Sequence, residues 1–119
     1  MASIEDAYNE IGADYKDVLK RLSSEALVER FAKRFLEDES FSNLKAAMQE
    51  GADAEAALLG AHTLKGICQN LGLTNLFEPA NELTEALRDR TFEGSEGLFE
   101  PVEREYERTA AALKAALGL

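Results

Sequence analysis

A chain of 119 residues with a formal net charge of −10 and a single cysteine is one domain by length, large enough to bury a core without cross-links. Its acidic balance excludes a general nucleic-acid binder or a protein that spreads on an anionic membrane, since both present a basic face, and the lone Cys68 excludes an intrachain disulfide. No window reaches the roughly 18 uninterrupted apolar residues of a membrane span, and the acidic start MASIEDAYNE lacks the plan of a secretory signal. A cytoplasmic location is therefore expected, and Met1 favours a free-standing protein.

Good helix formers dominate the chain, and no strand-like alternation persists. Ser3 caps a short helix over Ser3 to Glu10, which Gly12 interrupts. Asp14 to Leu22 forms a second, with Tyr15, Val18, Leu19 and Leu22 on one face. Ser24 caps Glu25 to Glu37, whose Leu27, Val28, Phe31, Phe35 and Leu36 repeat at helical spacing. Glu39 to Glu50 follows, with Phe41, Leu44, Ala47 and Met48 inward and Gly51 at its end. The Phe31, Phe35 and Phe41 series is expected in the core. Asp53 caps the next helix, which runs to about Leu71, with Gly72 as its left-handed stop. Thr74 opens a further helix to about Arg90, with Pro79 as the alternative first residue because it sits awkwardly inside those first turns. Gly94 and Gly97 break the chain before a last helix over Leu98 to Leu117. The expectation is an all-α protein of one domain, residues 1–119: an antiparallel up-down four-helix bundle with short N-terminal helices.

The stretch GAHTLKGICQN carries the only histidine in the chain, His62. On a helical wheel Ala57, Gly60, Leu64, Ile67, Cys68 and Leu71 share one side and make a core stripe. His62 falls on roughly the opposite side, among Glu55, Leu58, Leu59, Lys65, Gly66 and Gln69, and should face outward. Lys65 lies one turn along, about 5–6 Å away between Cβ atoms, where a cation can pair with a phosphoryl group. Gly66 in mid-helix costs about 1 kcal/mol relative to alanine. Clearing a Cβ beside the imidazole, so that another molecule can approach, would explain that cost; tight internal helix packing would explain it too. Leu58 and Leu59 on the histidine side form a small apolar patch, either of docking character or covered by the N-terminal helix, with Gln69 either at its rim or simply solvated.

His62-Thr63-Leu64-Lys65-Gly66, followed by Leu71-Gly72, resembles the H-x-L-K-G-x(4)-L-G signature of histidine-containing phosphotransfer (HPt) domains. The resemblance covers essentially the whole chain. It implies a four-helix bundle whose exposed histidine carries a phosphoryl group between receiver domains. His62 would be the phosphoacceptor, on its distal nitrogen. Lys65 would stabilise the phosphate, and Gly66 would give the receiver access. Relatives often place a small residue after the Lys-Gly pair, where this chain has Ile67, turned inward on the wheel. Some use a glutamine on the neighbouring helix to hold the other imidazole nitrogen; the matching stretch here is Asn81-Glu82-Leu83-Thr84-Glu85, with Thr84 as the candidate support.

The partners implied are receiver domains of hybrid sensor histidine kinases or response regulators. The phosphoryl carrier needs no cofactor of its own, since Mg²⁺ is expected on the receiver. No nucleotide loop is present, so autonomous kinase activity is not expected. Two other classes stand beside this one: an adaptor bundle with an incidental histidine, and a small metal- or cofactor-binding bundle. Leu58 and Gly66 occupy the positions one turn either side of His62, so no second metal ligand stands there. A monomer is the simplest assembly.

Overall fold

The computed structural model describes residues 2–51 and 53–119; the expectation attached to Met1 lies outside them. Among the described residues the chain forms seven helices and no strand: α1 (Ile4–Ile11), α2 (Tyr15–Leu22), α3 (Glu25–Glu37), α4 (Ser40–Glu50), α5 (Ala54–Leu71), α6 (Thr74–Ala86) and α7 (Phe99–Leu117). Four starts follow directly from local chemistry. Ser3, Asp14, Ser24 and Asp53 each turn a side-chain oxygen back onto a free amide of the first turn, those of Asp6, Asp17, Leu27 and Ala56, at 2.9–3.2 Å. At Ser3 the cap is reciprocal, because Asp6 accepts from the Ser3 amide. The two short N-terminal helices owe their existence to these caps and to buried Ile4, Tyr8, Tyr15 and Val18, since isolated helices of this length are marginal.

α5 packs against α4 on one side and α6 on the other, and α7 packs on α1, α6 and α3. The α4–α5 approach requires Gly60: a Cβ there would stand 3.0 Å from Leu44 Cβ and 3.1 Å from Leu44 Cα. Across the other side of the molecule Phe41 of α4 stacks on Tyr106 of α7 with ring centroids 3.9 Å apart, and Phe35 of α3 tilts against the same ring. The fully buried Leu44, Leu64, Leu76, Leu83 and Leu113 fill the space between, each contributing about 1.5–3 kcal/mol by leaving water.

The N-terminal pair α1–α2 is clamped onto the α5–α6 turn. Tyr8 Oη donates to Leu71 O at 2.7 Å inside the core. The Asp14 amide donates to Gly72 O at 2.8 Å. Thr74 Oγ1 donates to Gly12 O, and Arg21 reaches Gln69 O at 2.6 Å. Gly72 is needed twice over: its φ is +66°, and an added Cβ would lie 2.6 Å from Asp14 O.

Of the two starts the sequence offers for α6, Thr74 is the one observed and Pro79 is not its first residue, while two other expectations are corrected. The Leu73 carbonyl receives the amides of Leu76 and Phe77 at 3.1 and 2.8 Å, and buried Leu73, Leu76 and Ala80 hold that first turn in place. Pro79 therefore sits inside the helix and gives up one backbone bond, which packing outweighs. α6 also stops at Ala86, short of Arg90. Fully buried Leu87 caps it, and the chain turns at Arg90, whose φ is +61° and whose amide donates to Leu87 O. Finally, Phe31 and Ile67 are only half-buried and not inside the core. Phe31 carries the Arg34 guanidinium 5.4 Å over its ring.

Candidate functional site

The side chains that α5 buries decide where its histidine goes. Ala57, Gly60, Ala61, Leu64, Cys68 and Leu71 are buried against α4 and α6, and the wheel then leaves His62 and Thr63 exposed. His62 stands at the middle of α5, away from the unpaired amides and carbonyls of the helix ends.

His62 lines a shallow hollow of about 710 Å³ together with Leu58, Leu59, Thr84, Arg88 and Arg90. Of the apolar patch expected beside it, Leu59 is 67% exposed, whereas Leu58 is half-buried and packs on the core. Gln69 is exposed farther along the helix, where its carbonyl is occupied by Arg21. A Cβ built on Gly66 meets no atom within 4 Å. Internal packing therefore does not account for this glycine, and the space beside the ring is open to a visitor. Gly60 and Gly66 thus separate cleanly: the first admits a neighbouring helix, the second leaves room outside.

Thr84 is 2% exposed and reaches the same hollow from α6, but its Oγ1 donates to Ala80 O at 2.7 Å. With its proton committed, the hydroxyl has only acceptor capacity to offer an imidazole N–H. Lys65 is half-buried on α5, and its charge is felt at Glu85 of α6. The Glu85 carboxyl is held below the usual carboxylate range, first by its hydrogen bond to Arg88 and further by the charges of Arg88 and Lys65.

Arg88 and Arg90 were not anticipated from the sequence. Arg88 follows Thr84 by four residues, the spacing that puts both on one face, and that signal was available. Arg90 joins the hollow only because the chain turns after Leu87; its Nε lies 3.7 Å from Glu55 Oε1. A second, more apolar cleft of about 370 Å³ opens at the C-terminal end of α5, between Leu22, Phe31, Ile67 and Leu71, with Arg21 and Arg34 at its edge. Among the described residues no group of three histidine, cysteine, aspartate or glutamate side chains converges to hold a metal ion, and no helix is long and apolar enough to cross a membrane.

The Hpt domain family model matches residues 23–116. That span takes in α3 to α7 with His62, Lys65 and Gly66, and the chain belongs to this family. No curated protein matches the chain, and no solved structure does. Hpt domains work in histidine phosphotransfer within phosphorelays, as phosphocarriers and not as kinases, with receiver domains as their general partners. The helices α1 and α2 precede the matched span, and α2 borders the apolar cleft through Arg21 and Leu22.

Proposed function

We propose that this chain is a phosphorelay intermediate that accepts a phosphoryl group on His62 from a receiver aspartate and hands it to a second receiver. The observation that carries this reading is the exposed His62 ring beside the open space over Gly66. In the step itself the lone pair on Nε2 attacks phosphorus in line. The Nε2–P bond forms as the aspartyl O–P bond breaks, and the carboxylate leaves with the bonding electrons. Such transfers ask the protein mainly for position and charge. Lys65 supplies charge to the phosphoryl oxygens, and Arg88 in the same hollow supplies a second, forked donor. The Nδ1–H tautomer is the one that leaves Nε2 free to attack, and Thr84 Oγ1, an acceptor only, suits that tautomer.

Docking would use Leu59, Leu58, Gln69 and the cleft at Ile67 as one surface across Gly66. The partners on this reading are receivers of hybrid sensor kinases or response regulators, which bring the aspartate and Mg²⁺. The chain acts in the cytoplasm as a monomer, with α5 and α6 as adjoining arms of an antiparallel up-down four-helix bundle. Incubation with a ³²P-labelled phosphoreceiver tests this. His62 should acquire an alkali-stable, acid-labile label that His62→Gln lacks. Label retained in His62→Gln, or none in the wild type, would refute it.

A further inference from the structure

Both arginines that line the histidine hollow are already paired, Arg88 with Glu85 and Arg90 with Glu55. Arg88 grips Glu85 as a fork, with Nε 3.0 Å from Oε2 and Nη2 on Oε1. Lys65, on the adjoining helix, adds its charge to the same carboxylate. Glu85 is therefore gripped by an arginine just past the end of α6 and feels the charge of a lysine of α5, while that arginine lines the hollow holding His62. A carboxylate and a phosphoryl group offer a guanidinium the same bidentate pair of anionic oxygens. The Arg88–Glu85 side chains are 63% and 51% exposed, and an ion pair that open to water holds its partners loosely. A phosphoryl group brings nearly two negative charges and three acceptor oxygens, so it outcompetes a single carboxylate for the fork.

Building on the phosphoacceptor reading of His62, we propose that Glu85 is a positioning residue that stands in for the absent phosphoryl group. It keeps Arg88 aimed along the hollow while the ring is bare and releases Arg88 to the phosphoryl oxygens when the ring is loaded. Because that release must be made on loading and is recovered on unloading, Glu85 favours the bare histidine. It thereby biases the carrier toward giving its cargo away. Removing the competing carboxylate should make the loaded state more favourable, and only through Arg88.

The test uses potassium phosphoramidate as donor, which needs no partner protein. The donor P–N bond breaks, the His62 Nε2–P bond forms, and ammonia leaves. Phosphorus NMR of the full chain, at fixed phosphoramidate and ammonia, gives the loaded fraction at equilibrium. Glu85→Gln should raise the loading constant about threefold, the scale of an exposed ion pair. Arg88→Gln should lower it, and Glu85→Gln should have no effect in the Arg88→Gln background, an outcome a merely structural role would not produce. In the wild type the Arg88 Nε–H resonance should shift on loading. An unchanged loading constant in Glu85→Gln, or an equal rise in both backgrounds, overturns the stand-in role while leaving His62 as acceptor. A wild-type ring that never loads overturns the acceptor reading itself.

Discussion

Replacing Gly66 should move stability and function in opposite directions. Nothing lies within 4 Å of a Cβ at this position, and its backbone is ordinary helix. Gly66→Ala therefore removes the entropic cost of glycine without creating a clash. It should stabilise the fold by about 0.5–1 kcal/mol, which for a domain of this size raises Tm by about 2–6 °C in a thermal melt followed by circular dichroism. The same methyl group would project into the space a receiver must occupy. Forcing one or a few extra carbons into a packed interface costs about 1–3 kcal/mol, so receiver-to-His62 transfer should slow by about 5- to 150-fold, with Gly66→Leu at the severe end. Labelling by small phosphoramidate should hardly change, since that donor needs no such clearance. Stopped-flow or quenched-flow transfer from one phosphoreceiver, set beside phosphoramidate labelling, separates the two effects. Unaltered receiver transfer in Gly66→Leu, or a lower Tm in Gly66→Ala, would rule out an access role for Gly66.

Lys65→Ala should slow receiver-to-histidine transfer by about 10- to 100-fold, the scale of one lost charge-assisted contact in a transition state, with the melting curve little changed; equal transfer rates would remove Lys65 from the step. Gly72→Ala should destabilise the protein by about 2–4 kcal/mol in a urea titration, combining the left-handed backbone with the clash against Asp14 O. Burial pushes the Cys68 thiol and the Tyr8 hydroxyl upward, so the folded state keeps protons that the unfolded chain releases near pH 8.5 and about 10. Stability should hold below about pH 8 and then fall by about 1.4 kcal/mol per pH unit as Cys68 ionises in the unfolded state, more steeply above about pH 10. Cys68→Ala should abolish the first leg of that fall, and a profile flat through pH 10 would contradict it.

How much of this was readable from residues alone depends on whether the cause was local. The caps at Ser3, Asp14, Ser24 and Asp53 and the stop at Gly72 are chemistry within four residues, and all four starts fall where those side chains accept an amide. The outward His62 follows from one helix's own apolar stripe. The end of α6 did not follow, because Leu87-Arg88-Asp89-Arg90 consists of acceptable helix formers. The turn there comes from burial of Leu87 against other helices. Arg90 entered the histidine hollow by that same tertiary turn. Phe31 and Ile67 read as core on their own helices. They line an open cleft where α2 and α3 meet the end of α5, a tertiary arrangement that neither helix encodes on its own. Gly60 and Gly66 look alike in the sequence, and only the presence of Leu44 over one and of nothing over the other tells them apart.

The most direct measurement is a proton–phosphorus correlation spectrum of the wild-type chain after transfer from a phosphoreceiver. One protein-bound phosphorus is expected, coupled to both ring protons of His62, as attachment at Nε2 requires. A phosphorus coupled to Hε1 alone, one attached to any other residue, or no bound phosphorus while the receiver keeps its label, would contradict it.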